Sequence, residues 1–423
     1  MSLAKPFYDD PLEDRNVEVS FQEALRRIME SAHVLGSEEI SILESTSRIL
    51  REDIVSKIKI PPLDDSAMDG YAVIASDTAR ASADSPVVLR IVSEIKAGDS
   101  PGDRLLTHGN AVRIMTGAPI SQGADSVVRF EDTEEENGFV RIYRQAQKHE
   151  NYRFAGENIT IGDNVLRRGD RLSSADVGLL ASLDYDRVIV YKQAHVSIIS
   201  SGDELAEVGT GMGIGQIRNV NAYTLYSEVK KCNAIPHYLG ISRDTLIDMK
   251  KIFAKALGSD VVISTGGVSA GKYDLVRDIY AELGIEIQFD RVNIKPGRPF
   301  IFGRAGNRLF FGLPGNPVPA LICFIEFVRP ALLKMMGATK TEKPVVCAIA
   351  EEDIRSVAVH HFVRGRFTIK DGDFFVSSAG NQKPSMLRSM SEANCLIILP
   401  ETATMIKTGD RVNIQLIDHS EIS

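Results

Sequence analysis

Hydrophobic and polar positions follow two different patterns along this chain. The first part has mostly the short apolar runs typical of β-strands, and the second alternates strands with helices. A capping box, SFQE (20–23), precedes apolar residues at helical spacing, and short β-like runs then dominate from about residue 50. The acidic segment EDTEEENG (131–138) ends in Asn-Gly between two such runs, which predicts a hairpin with a solvated turn. SSADVGLLASL (173–183) predicts a second helix. The first part of the chain is therefore expected to be mainly β.

From about residue 188, buried strands alternate with helices. The strand HVSIIS (195–200) precedes a helix from Asn219, and further helices are expected from Asp244 to Gly258 and from Asp274 to Gly284. We expect both acids to cap their helices and both glycines to end theirs in the left-handed conformation. This alternation predicts an open, mostly parallel α/β domain.

The segment RLFFGLPGNPVPALICFIEFV predicts a strand, a turn and a helix in that same domain. Asn316 is the expected cap, and Pro317 and Pro319 fall in the first turn, where a missing N–H costs least. Ligands of such sheets gather at the carboxyl ends of the strands. The loops SGDEL, TGGVSAGKYD and GLPGNP are all expected at that edge.

The last part of the chain returns to short strands. After the polar connector KMMGATKTEKP (335–344), β-like runs follow one another, and Asp371-Gly372 marks a hairpin turn. A small C-terminal β domain is expected.

Composition narrows the class of protein. The 423 residues are 43% hydrophobic, which is enough for several buried cores. A net charge of −8 argues against nucleic-acid binding, and no apolar run is long enough to span a bilayer. The four cysteines form no C-x-x-C pair, which fits reduced thiols and predicts a cytoplasmic protein.

A glycine-lined turn, VVISTGGVSAGKYD (261–274), follows a buried strand. Gly266 and Gly267 allow backbone N–H groups to approach a ligand, and a helix N-terminus after them favours anions. A tight strand-to-helix connection explains the same letters equally well. Both readings stay open on this segment alone.

A second turn, VNIKPGRPFIFG (292–303), holds two cations three residues apart. Lys295 supplies a mobile point charge and Arg298 a planar fork, which together suit a tetrahedral oxyanion. Two solvated surface cations are the alternative. The position beside a strand of the α/β domain favours anion binding.

Clustered acids come next in PPLDDSAMDGYAV (61–73), at positions 64, 65 and 69. Carboxylates in a group suit Mg²⁺ or a general base, although loop acids that bond to backbone are slightly commoner. Glu204, Asp244 and Asp274 extend the acidic set, and Thr116 of RIMTGAP is a weaker candidate for a phosphate contact.

Several chemistries lack support in the sequence. His360 and His361 are adjacent and face opposite sides of a strand, so a shared metal is not expected. The chain has no H-E-x-x-H, no Walker A loop and no G-x-S-x-G. Acids, fixed cations and glycine loops together predict a polyanionic substrate and a divalent metal.

Seven segments, taken in order, resemble one family, the molybdopterin molybdenumtransferases, or MoeA family, which includes the gephyrin E domain. They are PPLDDSAMDGYAV, RIMTGAP, GENITIGD, SSGDEL, STGGVSAGKYD, IKPGRPFIFG and GLPGNPVPA. The resemblance covers nearly the whole chain.

The resemblance implies a multidomain α/β plus β architecture. Its parts would be an elongated N-terminal domain (1–49 and 164–190), a β-rich domain (50–163), a MogA-like, molybdopterin-binding open α/β domain (191–335) and a C-terminal small β-barrel domain (336–423). It further implies a homodimer and insertion of molybdenum from molybdate into adenylylated molybdopterin, with Mg²⁺ and release of AMP. The adenylyltransferase of the same pathway is a possible partner.

The resemblance also assigns roles to residues of this chain. Those implied for catalysis are Asp64, Asp274, Lys295 and Arg298. Those implied for substrate binding are Thr116, Glu204, Gly266, Gly267, Ser269, Pro299, Arg364 and Ser385. Those implied for Mg²⁺ are Asp244 and Asp274. The ion that they hold would bridge the substrate's pyrophosphate.

Three positions depart from the family pattern. Many members have Lys where Arg298 stands and Ser where Pro319 stands, and Asn158 replaces an acid. The resemblance therefore predicts the geometry of molybdate binding less closely than it predicts the fold. Adenylylation of molybdopterin and a non-enzymatic, gephyrin-like dimeric scaffold are the competing functions, and tungstate is an alternative to molybdate.

Overall fold

The computed structural model describes residues 17–100, 105–266 and 273–417, with only the backbone of Tyr273 and Asp274. Gly267 and Ser269 therefore lie outside the described residues. The chain divides into two compact units. The first comprises Met1–Glu39, Ser47–Arg51 and Ile189–Ser423, and the second comprises Ile40–Thr46 and Glu52–Val188.

A seven-stranded sheet forms the centre of the first unit. Its strands, from one edge to the other, are Glu18–Val19, Glu286–Val292, Pro299–Ala305, Arg308–Leu313, Val261–Thr265, His195–Ser201 and Ile235–Ser242. Six strands run in one direction and Pro299–Ala305 runs against them. The predicted open, mostly parallel sheet is thus confirmed.

Both faces of this sheet are buried because its strands carry apolar side chains on both sides. Along the strand Val261–Thr265, Val261 and Ile263 join one core and Val262 joins the other. This continuous apolar pattern is typical of parallel strands that helices cover on both faces. The first core also receives the N-terminal helix Phe21–Ser31.

The remaining helices of the first unit connect or follow these strands. They are Val220–Lys231, Leu246–Ala256, Tyr273–Glu282, Leu387–Glu392 and a long run made of Pro317–Cys323, a π-helical turn Phe324–Val328 and Arg329–Met335. Asn219 and Asn316 occupy the expected cap positions. None of the helices within the described ranges is long and apolar enough to cross a membrane.

Two predicted helix starts and one predicted glycine conformation are wrong. Thr245, and not Asp244, caps its helix, because the Thr245 hydroxyl accepts the backbone N–H of Asp248. The helix after residue 272 already includes Tyr273, so Asp274 lies in its first turn. Gly284 adopts the left-handed conformation as expected (φ +67°), but Gly258 does not.

The C-terminal domain closes into a small barrel, as predicted. Its five strands, in order around the barrel, are His360–Lys370, Asp373–Ser378, Val345–Ala350, Arg411–Leu416 and Cys395–Leu399, and the last pairs with the first. Asp371 and Gly372 form the hairpin turn with φ of 52° and 88°. A short strand, Ile294–Lys295, leaves the α/β domain and pairs with His360 and His361 of the barrel.

The second unit has a six-stranded sheet of its own. Its strands are, in order, Ser126–Arg129, Gly70–Val73, Asn110–Ile114, Val87–Ile95, Phe139–Ile142 and Thr133–Glu136. Asn137 and Gly138 turn the predicted hairpin with φ of 51° and 80°. The helix Ser174–Ser182 begins with a complete capping box, in which Ser173 and Asp176 bond reciprocally.

Shorter strands complete the structure. They are Ser37–Ser41, Ile54–Val55, Asp65–Ser66, Tyr152–Arg153, Asn164–Leu166, Arg187–Tyr191, Leu205–Ala206, Ile217–Arg218, Ile354–Arg355 and Met405–Ile406. The four cysteines all lie within the described ranges, and no disulfide joins any of them.

The π-helical turn carries a buried carboxyl group, that of Glu326. Its Oε2 lies 3.5 Å from Nε2 of Gln415 on the last barrel strand, and its Oε1 has no partner among the described residues. Burial raises the pKa of Glu326 to about 7. The native protein therefore binds a proton here that the unfolded chain releases above its ordinary pKa.

Replacing this carboxyl group should change how stability depends on pH. Because the native pKa of Glu326 is raised, its contribution is complete below pH 4.5 and is lost as the pH rises through 7. At pH 8, Glu326→Gln should raise the free energy of unfolding by on the order of 3 kcal/mol relative to the wild type, and it should therefore unfold at a higher temperature. At pH 4.5 the two proteins should unfold at nearly the same temperature. Thermal unfolding at the two pH values measures this. A difference that is equal at both would contradict it.

Candidate active site

Four parallel strands of the first unit end at one edge of the sheet, and polar side chains meet there. Ser201 closes one strand and donates its hydroxyl to Oδ1 of Asp244 at 2.6 Å. The backbone N–H of Asp244 lies 3.4 Å from Oδ1 of Asp203, and the exposed Glu204 is next along that loop. The carboxyl edge is therefore acidic on this side, as the sequence predicts.

The neighbouring loops are held together by one buried amide. Nδ2 of Asn221 donates to Oγ1 of Thr265 and to the carbonyl of Gly315, each at 2.8 Å. Thr265 in turn donates to the carbonyl of Pro314 at 3.1 Å. These three bonds fix the start of the glycine turn against the GLPGNP loop.

Gly266 is required by geometry. Its φ is +87°, and a Cβ atom at this position would lie 2.1 Å from the carbonyl oxygen of Ser201. Only glycine fits where the strand end turns away this close to its neighbour. The close approach to Ser201 explains why glycine stands at position 266. The predicted contact of Gly266 with an anion stays a prediction.

A cavity of about 690 Å³ lies between the α/β domain and the barrel, within the first unit. It is lined by the Lys295–Pro299 turn, by Pro314 and Asn316 of the GLPGNP loop, and by Pro319 of the helix that follows. The barrel strand around Arg364 and the segment from Glu352 to Val359 complete the lining. Lys295, Arg298 and Pro299 therefore meet Arg364 around one space, although they are far apart in sequence.

Arg364 is the buried cation of this cavity. It is 2% exposed, and its Nη2 donates to the carbonyl of Asn381 at 3.0 Å. Its Nε has no partner among the described residues. Burial lowers the pKa of Arg364, but an arginine still carries its charge at neutral pH. A buried guanidinium with an unused donor is what an anionic ligand would satisfy.

The carboxylates of the cavity wall are already engaged. Asp353 accepts the backbone N–H and hydroxyl of Thr408 at 2.9 and 3.1 Å, and the backbone bond lowers its pKa. Glu352 accepts the backbone N–H of Ser378 at 2.7 Å. These acids hold loops of the barrel through their bonds to Thr408 and Ser378.

The two adjacent histidines separate as predicted. His360 stacks on Phe21 at 4.4 Å between ring centroids, while His361 lines the cavity. Burial, with Lys295 nearby, lowers the pKa of His361 to about 4, so this ring is neutral at pH 7. Among the described residues, no group of three or more His, Cys, Asp or Glu side chains could hold a metal ion.

Arg298 lies at the exposed end of the cavity and is paired with a carboxylate. Its Nε and Nη2 donate to Oε1 and Oε2 of Glu18 at 2.8 and 2.9 Å. Hydrogen bonding to Arg298 lowers the pKa of Glu18. The N-terminal strand thus contributes to the wall beside Arg298.

In the second unit, the predicted acids hold loops. Asp64 accepts the Tyr152 hydroxyl at 2.6 Å and the backbone N–H of Ala155 at 2.8 Å. Thr116 donates its backbone N–H and its hydroxyl to Oδ1 of Asp69, at 2.7 and 2.9 Å. The roles of Asp64 and Thr116 toward a ligand stay predictions. The bonds of Asp64 and Asp69 agree with the alternative that these acids hold the loops in which they lie.

Two further predicted residues, Ser385 and Asp274, have no described contact that tests their roles. Ser385 is exposed, and its neighbour Pro384 lines the cavity instead. Asp274 follows the glycine turn in the backbone, but its side chain is outside the described residues. Their proposed contacts to substrate and Mg²⁺ therefore stay predictions.

Three residues that matter here are missed by sequence reasoning. Ser201 is visible as the Ser of SSGDEL, but its bond to Asp244 depends on strand register. Asn221, two residues after a helix cap, has no signal beyond its position. Glu18 belongs to a two-residue strand, which is too short to predict.

A doubly wound sheet with acids and a glycine turn at its carboxyl edge, beside a cavity lined with cations, defines a class of enzyme that handles anionic substrates. Three stretches of the chain match families of known proteins. Residues 19–183 match the MoeA N-terminal region (domain I and II), 197–334 a probable molybdopterin binding domain, and 348–417 the MoeA C-terminal region (domain IV).

Whole-chain relatives agree with these matches. The molybdopterin molybdenumtransferase of Haemophilus influenzae is 36% identical over 90% of this chain and 94% of its own, and that of Staphylococcus aureus MRSA252 is 32% identical over 96% and 97%. The crystal structure of the molybdopterin biosynthesis MoeA protein from Pyrococcus horikoshii OT3 is 30% identical over 95% of this chain and 100% of its own, with a TM-score of 0.80. The chain belongs to the molybdopterin molybdenumtransferase (MoeA) family.

The geometry of the glycine turn can be tested by adding one methyl group. Gly266→Ala should destabilise the protein by about 2 kcal/mol or more, because it adds backbone strain and a contact with Ser201. Gly258→Ala is the matched control, since a Cβ there meets nothing within 4 Å and its φ is not positive. Thermal unfolding of both variants measures the difference. Equal unfolding temperatures would show that the turn tolerates a side chain.

Proposed function

We propose that this protein inserts molybdenum from molybdate into adenylylated molybdopterin, releasing AMP and molybdenum cofactor. The observation that supports this most directly is the cavity in which Lys295, Arg298 and Arg364 surround one space. A tetrahedral dianion needs several donors and positive charge that do not have to reorganise. Arg364, buried and with an unused Nε–H, is already fixed for this task.

The carboxyl edge of the sheet is the proposed place of the pterin and its phosphates. The GLPGNP loop borders both regions, since Pro314 bonds to Thr265 at the edge and also lines the cavity. A substrate at the glycine turn would thus lie beside an oxyanion held by the cations. This arrangement would bring the two reactants of the insertion step together.

Mg²⁺ is part of the proposal, and the oxygen donors at the edge fit it. Asp244 and Asp203 lie together there, and Glu204 is exposed beside them. Mg²⁺ is commonly held by one or two carboxylates plus substrate phosphates, so a cage of three acids is not needed. When bound, the ion would neutralise charge on the pyrophosphate. Asp244 would hold it, together with Asp274.

The remaining parts of the proposal rest on the family. A homodimer, contact with the adenylyltransferase that makes the substrate, and a cytoplasmic location are expected from the resemblance. The absence of disulfides among the four cysteines also fits a reducing compartment. Asp64, Thr116 and Ser385 would then contribute to substrate binding in the assembled enzyme.

The first experiment measures AMP release from adenylylated molybdopterin with Mg²⁺, in the presence and absence of molybdate. Release that depends on molybdate supports the insertion step. Consumption of ATP with molybdopterin would instead indicate adenylylation. The absence of both activities in an intact protein would contradict the proposal and favour a scaffold.

The buried cation of the cavity has a separate test. Arg364→Gln should lower molybdate-dependent AMP release roughly 100-fold, since one fixed donor and one charge are removed from the oxyanion. Arg366→Gln, on the same strand and exposed, is the matched control and should retain activity. Circular dichroism and thermal unfolding show whether the Arg364 variant is folded. A folded, fully active variant would remove Arg364 from the site.

The Mg²⁺ assignment is tested on the helix after the glycine turn. Asp274→Asn should abolish AMP release and leave the unfolding temperature nearly unchanged, because the substitution keeps the shape and removes only the charge. Asp278→Asn, exposed on the same helix, is the control. If raising the Mg²⁺ concentration has no effect and Asp274→Asn is active, another group holds the ion.

A further inference from the structure

Arg298 borders two cavities. Besides the main cavity, it lines a second one of about 540 Å³, together with Glu18, Ser20, Asn293 and Glu401. Glu18 lies on the side of the second cavity and does not line the main one. The guanidinium therefore stands at the boundary between the two spaces, with a carboxylate on one side.

The contact between Arg298 and Glu18 is a parallel, two-bond fork. Both bonds are within 2.9 Å, and they use Nε and Nη2. This is the geometry with which a guanidinium binds a carboxylate or a tetrahedral oxyanion, and lysine cannot make it. The departure from the family's lysine at this position thus coincides with a partner that only arginine can hold in this way.

The backbone holds Glu18 in place. Glu18 and Val19 pair in parallel with Arg291 and Val292, just before the turn that carries Arg298. Glu18 is therefore not a mobile surface side chain that meets Arg298 by chance. Both partners belong to segments of the same sheet.

We propose that Glu18 is an internal competitor for Arg298, so that an oxyanion in the main cavity binds by taking over part of the fork that Glu18 occupies. A carboxylate and molybdate need the same N–H donors, and Glu18 also repels an anion bound next to Arg298. Glu18 thus sets how much free oxyanion is needed to fill the site. The inference rests on the proposed function, because it assumes that the cavity takes an oxyanion.

Isothermal titration of the full chain with molybdate alone tests the competition. Glu18→Gln keeps the size and backbone pairing of the residue and removes its charge. We expect this variant to bind molybdate about three- to tenfold more tightly, in keeping with the modest strength of an exposed ion pair. Glu401→Gln is the matched control, because it removes one charge from the same second cavity without touching the fork.

Glu18→Gln in an Arg298→Lys variant tests whether the two-bond contact itself is needed. In Arg298→Lys the fork cannot form, so adding Glu18→Gln should change molybdate affinity less than it does in the wild type. Equal effects in both backgrounds would mean that Glu18 acts through its charge alone and would overturn the competition.

The outcomes separate this inference from the proposed function. Tighter binding by Glu18→Gln and not by Glu401→Gln supports the inference, even if the wild type shows no measurable binding. Unchanged or weaker binding by Glu18→Gln overturns it, and weaker binding would mean that Glu18 positions Arg298 for the anion. Molybdate-dependent AMP release by the wild type decides the proposed function independently.

Discussion

The pairing of Ile294–Lys295 with the barrel strand His360–Lys370 is the contact on which the proposed site depends. Two residues of the α/β domain become part of the barrel's hydrogen-bond ladder, and Lys295 therefore stands opposite His361. This places the turn from Lys295 to Pro299 against the wall that carries Arg364. This ladder and the contact between Glu326 and Gln415 together hold the two domains, and therefore the cations around the cavity, at fixed distances.

The electrostatics of the first unit are divided accordingly. Acidic side chains gather at the carboxyl edge around Asp244, while basic side chains gather in the cavity beside the barrel. The GLPGNP loop lies between the two, and Asn221 fixes it to the glycine turn. The acids of the cavity wall are bonded to the barrel, as Asp353 is to Thr408, whereas Arg298 pairs with Glu18 of the N-terminal strand.

Sequence patterns predict the architecture well and the site only in part. The alternation of strands and helices, the Asn137-Gly138 turn and the short strands of the C-terminal domain all follow from local signals, because turn residues and apolar periodicity act over a few positions. The closure of those strands into a barrel is implied by the family resemblance alone. The cap of the helix Leu246–Ala256 is misjudged because Asp244 and Thr245 are both good caps and tertiary contacts decide between them. The bond from Ser201 to Asp244, and the one from Glu18 to Arg298, depend on sheet register, which no local pattern specifies.

The position of the N-terminal strand has a consequence for synthesis of the chain. Glu18 and Val19 are synthesised long before the strand with which they pair, and the α/β domain is synthesised before the barrel that completes its cavity. Contacts between such distant segments form late because a long loop must close first. A chain that is still being synthesised can therefore build much of its sheet while the cavity between the α/β domain and the barrel is incomplete.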